Sequence, residues 1–171
     1  MIRFAVALAL AALATPLKAA IDIQEVTSPG GITAWLVEEP SIPFVALEIR
    51  FRGGARLDPE GQRGVTNLMT GLIEEGTGDL DARGFAEARD DLAASFDFDL
   101  NVDSLSVTAR FLTENRNEAI ALLARALTAP SFDDDAVERV RNQVLTGIRS
   151  NATDPGEIVS TAFDALAYGD H

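Results

Sequence analysis

The polar groups whose spacing could do chemistry lie in one stretch, Gly64-Val65-Thr66-Asn67-Leu68-Met69-Thr70-Gly71-Leu72-Ile73-Glu74-Glu75-Gly76-Thr77. Val65, Leu68, Met69, Leu72 and Ile73 recur at the i, i+3, i+4, i+7, i+8 spacing of one helix face, and Gly76 ends the run. Asn67, Thr70, Gly71 and Glu74 then fall on a neighbouring stripe. Two imidazoles one turn apart on such a stripe can reach one zinc ion, and a carboxylate between them can take a proton from the bound water. Asn67, Thr70 and Gly71 offer no imidazole and no base. On its residues alone the segment reads as a core helix in which Gly71 permits a close contact.

Composition narrows the chemistry further. The chain has no cysteine, and its single histidine is the last residue, His171, so a Cys/His zinc site cannot be assembled from this chain alone. No D-x-D-x-D-G calcium loop, no G-x-x-x-x-G-K-[ST] phosphate loop and no G-x-S-x-G nucleophile turn occurs. The 14 basic and 27 acidic residues leave a net charge of −13, a surface that repels phosphate backbones and argues against a nucleic-acid partner. An apolar content of 47% with 24% charged residues fits a globular domain, and 171 residues suffice for one good core.

The elements that must position these residues follow in chain order. Residues 1–20 read as a secretory signal: Arg3 supplies the positive start, residues 4–14 an apolar run too short to span a bilayer, and residues 16–20 a small-residue exit cleaved after Ala19 or Ala20. The mature protein is therefore expected to be exported, to a bacterial periplasm. Residues 21–27 and 32–38, joined by Ser28-Pro29-Gly30-Gly31, read as a hairpin. Residues 44–52 alternate as a strand, with Val45, Leu47, Ile49 and Phe51 on one side. The turn Asp58-Pro59-Glu60-Gly61 leads into the first helix.

A second helix is predicted at about 81–94, with Phe85, Ala88 and Leu92 inward, and a second hairpin follows. In it Phe96, Phe98, Leu100 and Val102 face Leu105, Val107, Ala109 and Phe111 across Asp103-Ser104. Asp97, Asp99 and Asp103 read as a solvated strand face in preference to a cation site. Three helices close the chain. Residues 115–128 turn Ile120, Leu123 and Leu127 inward. The next helix, to about 149, opens on a capping box of Ser131 with Asp134 and carries the stripe Val137, Val140, Val144 and Ile148. The last starts at Asp154-Pro155-Gly156-Glu157, with Asp154 as N-cap, and ends near Tyr168-Gly169. Asn151-Ala152-Thr153 matches a glycosylation acceptor and is read as loop. The fold class is α+β, an antiparallel sheet with helices packed on it, in the order β-β-β-α-α-β-β-α-α-α, its five strands able to form one sheet.

Element order and several short segments, Phe51-Arg52-Gly53-Gly54-Ala55-Arg56, Pro130-Ser131-Phe132-Asp133, Asp154-Pro155 and Tyr168-Gly169-Asp170-His171, resemble bacterial members of the pitrilysin/insulinase (inverzincin) zinc peptidases. Those enzymes carry H-x-x-E-H on a Gly-led helix that runs into Gly-Thr. The resemblance places Asn67 at the first His position, Thr70 at the Glu and Gly71 at the second His. On the late helix it places Val140 at the supporting Glu and Gly147 at the third ligand. All the ligand and base positions are replaced while both helices persist.

The resemblance thus implies a catalytically silent, zinc-free subunit with no catalytic residue, no metal and no cofactor. Its partners would be a catalytic subunit carrying H-x-x-E-H, in a heterodimer, and the peptide substrate the pair encloses. A structural scaffold in a cell-envelope complex is the alternative. The resemblance also implies a further helix and strand, then a second similar domain, so that residues 21–171 would be the N-terminal part of a longer product.

Overall fold

A computed structural model describes residues 21–169. The expected signal segment, residues 1–20, lies outside them, as does His171. The described residues fall into two units that part between Ile42 and Pro43.

The first unit is the expected hairpin. Strands β1 (Gln24–Thr27) and β2 (Thr33–Leu36) pair antiparallel, from Gln24 opposite Leu36 to Thr27 opposite Thr33. Gly31 closes the turn at φ 82°, a left-handed conformation that a residue without Cβ adopts freely. Its amide donates to the Ser28 carbonyl at 2.9 Å.

The second unit begins with β3 (Phe44–Arg52), as the alternation of its residues predicts, and continues through a short 3-10 turn, Ala55–Leu57, to α1 (Val65–Leu72). Two short strands follow, β4 (Gly76–Thr77) and β5 (Leu80–Asp81), then α2 (Ala82–Asp91). The hairpin of β6 (Ser95–Leu100) and β7 (Ser104–Leu112) comes next, then α3 (Arg116–Thr128), α4 (Asp134–Asn151) and α5 (Pro155–Tyr168). All strand pairing is antiparallel, so the α+β class holds, with the order enlarged by β4 and β5.

The five expected strands are not joined in one sheet among the described residues. Among the described residues β3, β7 and β6 make one sheet with β7 central, while β1–β2 and β4–β5 are separate pairs. Pairing propensity alone does not choose partners, because every strand edge presents the same donors and acceptors.

The core lies on one face of the three-stranded sheet. Phe96 of β6 and Val107, Ala109 and Phe111 of β7 are buried there at period two, against Phe85 of α2 and Ala119, Leu122, Leu123 and Ala126 of α3. Phe85 and Phe96 stack at a tilt, ring centroids 6.3 Å apart. The expected inward face of α3 is displaced by one position, for Ile120 is 44% exposed. Ala119 and Ala126 take its place because small side chains let the helix lie close to the core.

Capping divides in the same way. Asp154 accepts from the amides of Gly156 (2.8 Å) and Glu157 (3.1 Å), as its place before Pro155 predicts. Asp81 caps α2 by accepting from Gly84 at 2.7 Å. Ser131 caps nothing: Asp133 is the N-cap residue of α4, without a side-chain bond. The segment 129–131 is drawn along β4 instead, with the Ser131 amide on the Gly76 carbonyl at 3.1 Å and the Thr77 hydroxyl on the Ala129 carbonyl at 2.8 Å.

Candidate functional site

The frame that would carry metal chemistry is α1 with the face of α4 that meets it. A helix begins with amides that have no partner inside it, and Asp58 supplies partners for the start of α1. Its carboxylate accepts from the Gly64 amide at 2.7 Å, from the Thr66 amide at 3.1 Å and from the Thr66 hydroxyl. The Thr66 hydroxyl first, then the Gly64 amide, hold the Asp58 carboxyl below the usual range.

Just past the other end of α1, two adjacent carboxylates reach in different directions. Glu74 accepts from Arg89 of α2 at 2.8 Å, and Glu75 pairs with Arg139 of α4. Burial pushes the Glu74 carboxyl above its usual range, and the Arg89 bond opposes that shift without cancelling it.

Between these anchors the expected site residues separate. Asn67 and Gly71 are exposed and Thr70 is buried. The Thr70 hydroxyl donates to the Thr66 carbonyl of its own helix at 2.8 Å. Val140 is 4% exposed and packs with Leu72 and Ala136, and Gly147 is exposed further along α4.

Close approach of α1 and α4 at both Gly71 and Gly147 would give two helix glycines a packing reason, and the structure supports only the first. A Cβ placed on Gly71 would lie 3.0 Å from Val140 Cγ1, whereas one on Gly147 would meet nothing within 4 Å. Gly147 lies along α4 from the buried pair Ala136 and Val140, past Val144, on a stretch whose next apolar residue, Ile148, is 60% exposed. The approach is therefore close at Gly71, against Val140, and open at Gly147.

A zinc ion does not fit the residues present. Gly71 and Gly147 contribute no side chain, the Thr70 hydroxyl is engaged by its own helix, and a Val140 methyl crowds the place where a side chain at position 71 would begin. Glu74 and Glu75, the nearest carboxylates in sequence, are each paired with an arginine. The sequence reading missed these two pairs and the role of Asp58. Spacing within one helix carries no record of an arginine on another, although Asp58 in a turn before a helix start is a recognisable signal.

On its apolar side α1 borders a groove of about 440 Å³, lined by Val65, Leu68, Met69 and Leu72 with Phe132 and Val137. Among the described residues no helix is long and apolar enough to cross a membrane.

Residues 33–171 match the family described as Insulinase (Peptidase family M16). The chain is 33% identical over 117 residues to a Helicobacter pylori protein named non-peptidase homolog YmxG, covering 68% of this chain and 27% of that protein. It is 24% identical over 149 residues to the uncharacterized zinc protease YmxG of Bacillus subtilis, covering 87% and 36%. The fold superposes on the crystal structure of a peptidase M16 inactive domain from Pseudomonas fluorescens with a TM-score of 0.80 at 26% identity, over 88% of this chain and 37% of that one. The chain thus spans between about a quarter and about a third of the length of these curated relatives. With the family match extending over most of the sequence and the same fold present in a peptidase M16 domain, this chain belongs to the insulinase family, peptidase family M16.

Proposed function

We propose that this chain is part of a zinc-free, catalytically silent subunit that pairs with a catalytic subunit carrying H-x-x-E-H and helps enclose peptide substrates. The observation that carries the reading is the frame itself. Helices α1 and α4 are kept and packed together, while Asn67, Thr70, Gly71 and Gly147 replace the groups that would bind zinc and activate water. With no imidazole among the described residues and Glu74 and Glu75 each paired with an arginine, the contribution left to this chain is surface. The names of its relatives, a non-peptidase homolog and an inactive domain, support silence.

Exposed apolar surface supports association. Ile158, Val159, Phe163 and Leu166 of α5 are each more than half exposed, and the groove beside α1 adds to them. The acidic balance suits peptides of basic or neutral character. The N-terminal Arg3 and the apolar run after it support export, with the periplasm as the place of action.

The test is to co-express the full-length protein with a family subunit from the same organism that carries H-x-x-E-H and to measure peptide cleavage by each alone and by both together. The expected result is no cleavage by this protein alone, co-purification of the two, and faster cleavage by the pair than by the partner alone. A partner that cleaves equally well unaided and does not co-purify would overturn the pairing and favour the scaffold.

A further inference from the structure

We infer that the Gly71–Val140 contact, flanked by the Glu75–Arg139 pair, is a metal-independent joint that holds α1 against α4. Four observations meet at this place. Gly71 lacks the Cβ that would stand 3.0 Å from Val140 Cγ1, so α4 approaches more closely than a side chain at position 71 allows without displacement. Val140 is buried at the centre of its own apolar cluster with Leu72 and Ala136, which Leu68, Val137 and Val144 extend. Arg139, the neighbour of Val140, reaches back to Glu75 just past α1 and adds an ionic tie next to the apolar one. A Cβ on Gly147, by contrast, would meet nothing within 4 Å, so the close approach does not extend to that position of α4.

The geometry has a thermodynamic signature. Alanine is a better helix former than glycine, so at an open position Gly→Ala raises stability. At position 71 the new methyl must push Val140 aside, and packed interiors resist added volume. The sign of the effect therefore depends on what occupies position 140. The joint rests on the same register of α1 and α4 as the silent-site reading, but not on the existence of a partner.

The experiment is a double-mutant cycle on the full-length protein, read as the urea midpoint of unfolding, with Gly147→Ala as the open-position control. Gly71→Ala is expected to lower the midpoint in the native background and to raise it in the Val140→Ala background, while Gly147→Ala raises it in both. A Gly71→Ala protein that fails to fold supports the joint if adding Val140→Ala restores folding, and overturns it if not. Gly71→Ala raising the native midpoint as much as Gly147→Ala does would also overturn it. A second readout is metal itself: EDTA or added zinc is expected to leave the native midpoint unchanged, and a clear rise with zinc would overturn the inference. These measurements use no partner, so their failure leaves the pairing test standing, and a failed pairing test leaves the joint intact.

Discussion

The Arg89 guanidinium donates to the Glu74 carboxylate at 2.8 Å, tying α2 to the chain just past α1 in a place where both side chains are partly buried. Desolvation of Glu74 outweighs the help it receives from Arg89, so its folded-state pKa is raised. The stability attached to a raised carboxyl is fully present below the unfolded value, about 4.3 for Glu, and is lost as pH rises through the folded value. Glu74→Gln is therefore expected to flatten the fall in stability that begins above that pH. Urea unfolding of the two proteins over a pH series checks the slope.

Asp58 titrates with the opposite sign. Its folded pKa is lowered by the Thr66 hydroxyl and the Gly64 amide, so its contribution is present above the unfolded value, about 3.9 for Asp, and is lost as pH falls through the folded value. Asp58→Ala should lower the urea midpoint at neutral pH, because the first amides of α1 lose their acceptor. Its acid limb should be shallower than that of the native protein. An unchanged neutral midpoint would show that α1 starts without this cap.

Two glycines should respond to alanine in opposite directions. A Cβ on Gly54 would fall 2.0 Å from the Asn101 carbonyl oxygen and 2.7 Å from the Ser104 amide nitrogen, backbone atoms of the β6–β7 turn that cannot yield as a side chain can. Gly54→Ala should cost at least about 1–3 kcal/mol. Gly147 stands inside α4 with nothing within 4 Å, so Gly147→Ala should add about 1 kcal/mol through helix propensity. Both values are read from chemical denaturation.

Phe85 is fully buried and packs its ring against Phe96. Phe85→Ala removes the buried ring that α2 sets against the sheet and should destabilise the fold by about 3–5 kcal/mol. A denaturation midpoint within error of the native one would mean that the core does not run through this pair.

What could be read from the sequence was whatever a single element records by itself. The alternation of Val45, Leu47 and Ile49 marked β3 at its observed limits, and Asp154 before Pro155 marked the cap of α5. That Asn67, Thr70 and Gly71 carry neither imidazole nor carboxylate is likewise a fact of residue type. Local conformational preference and donor chemistry are properties of neighbours along the chain, so they need no tertiary information.

The rest depended on partners distant in sequence. Strands β4 and β5 are two residues each, too short to show a period; they pair with each other, and residues 129–131 run beside Gly76 and Thr77 on β4. That pairing also takes Ser131 away from the cap its spacing suggests. The buried stripe of α3 is displaced from Ile120 to Ala119 because helix-to-core distance, not apolarity alone, selects the inward face. Gly71 and Gly147 are alike as letters in helices, yet one receives Val140 and the other faces open space. Sequence determined that positions 67, 70, 71 and 147 carry no imidazole or carboxylate. Only the tertiary structure decided that a valine methyl, and an arginine reaching Glu75, close the gap between the helices, because that outcome depends on the distance between two helix axes that no local pattern encodes.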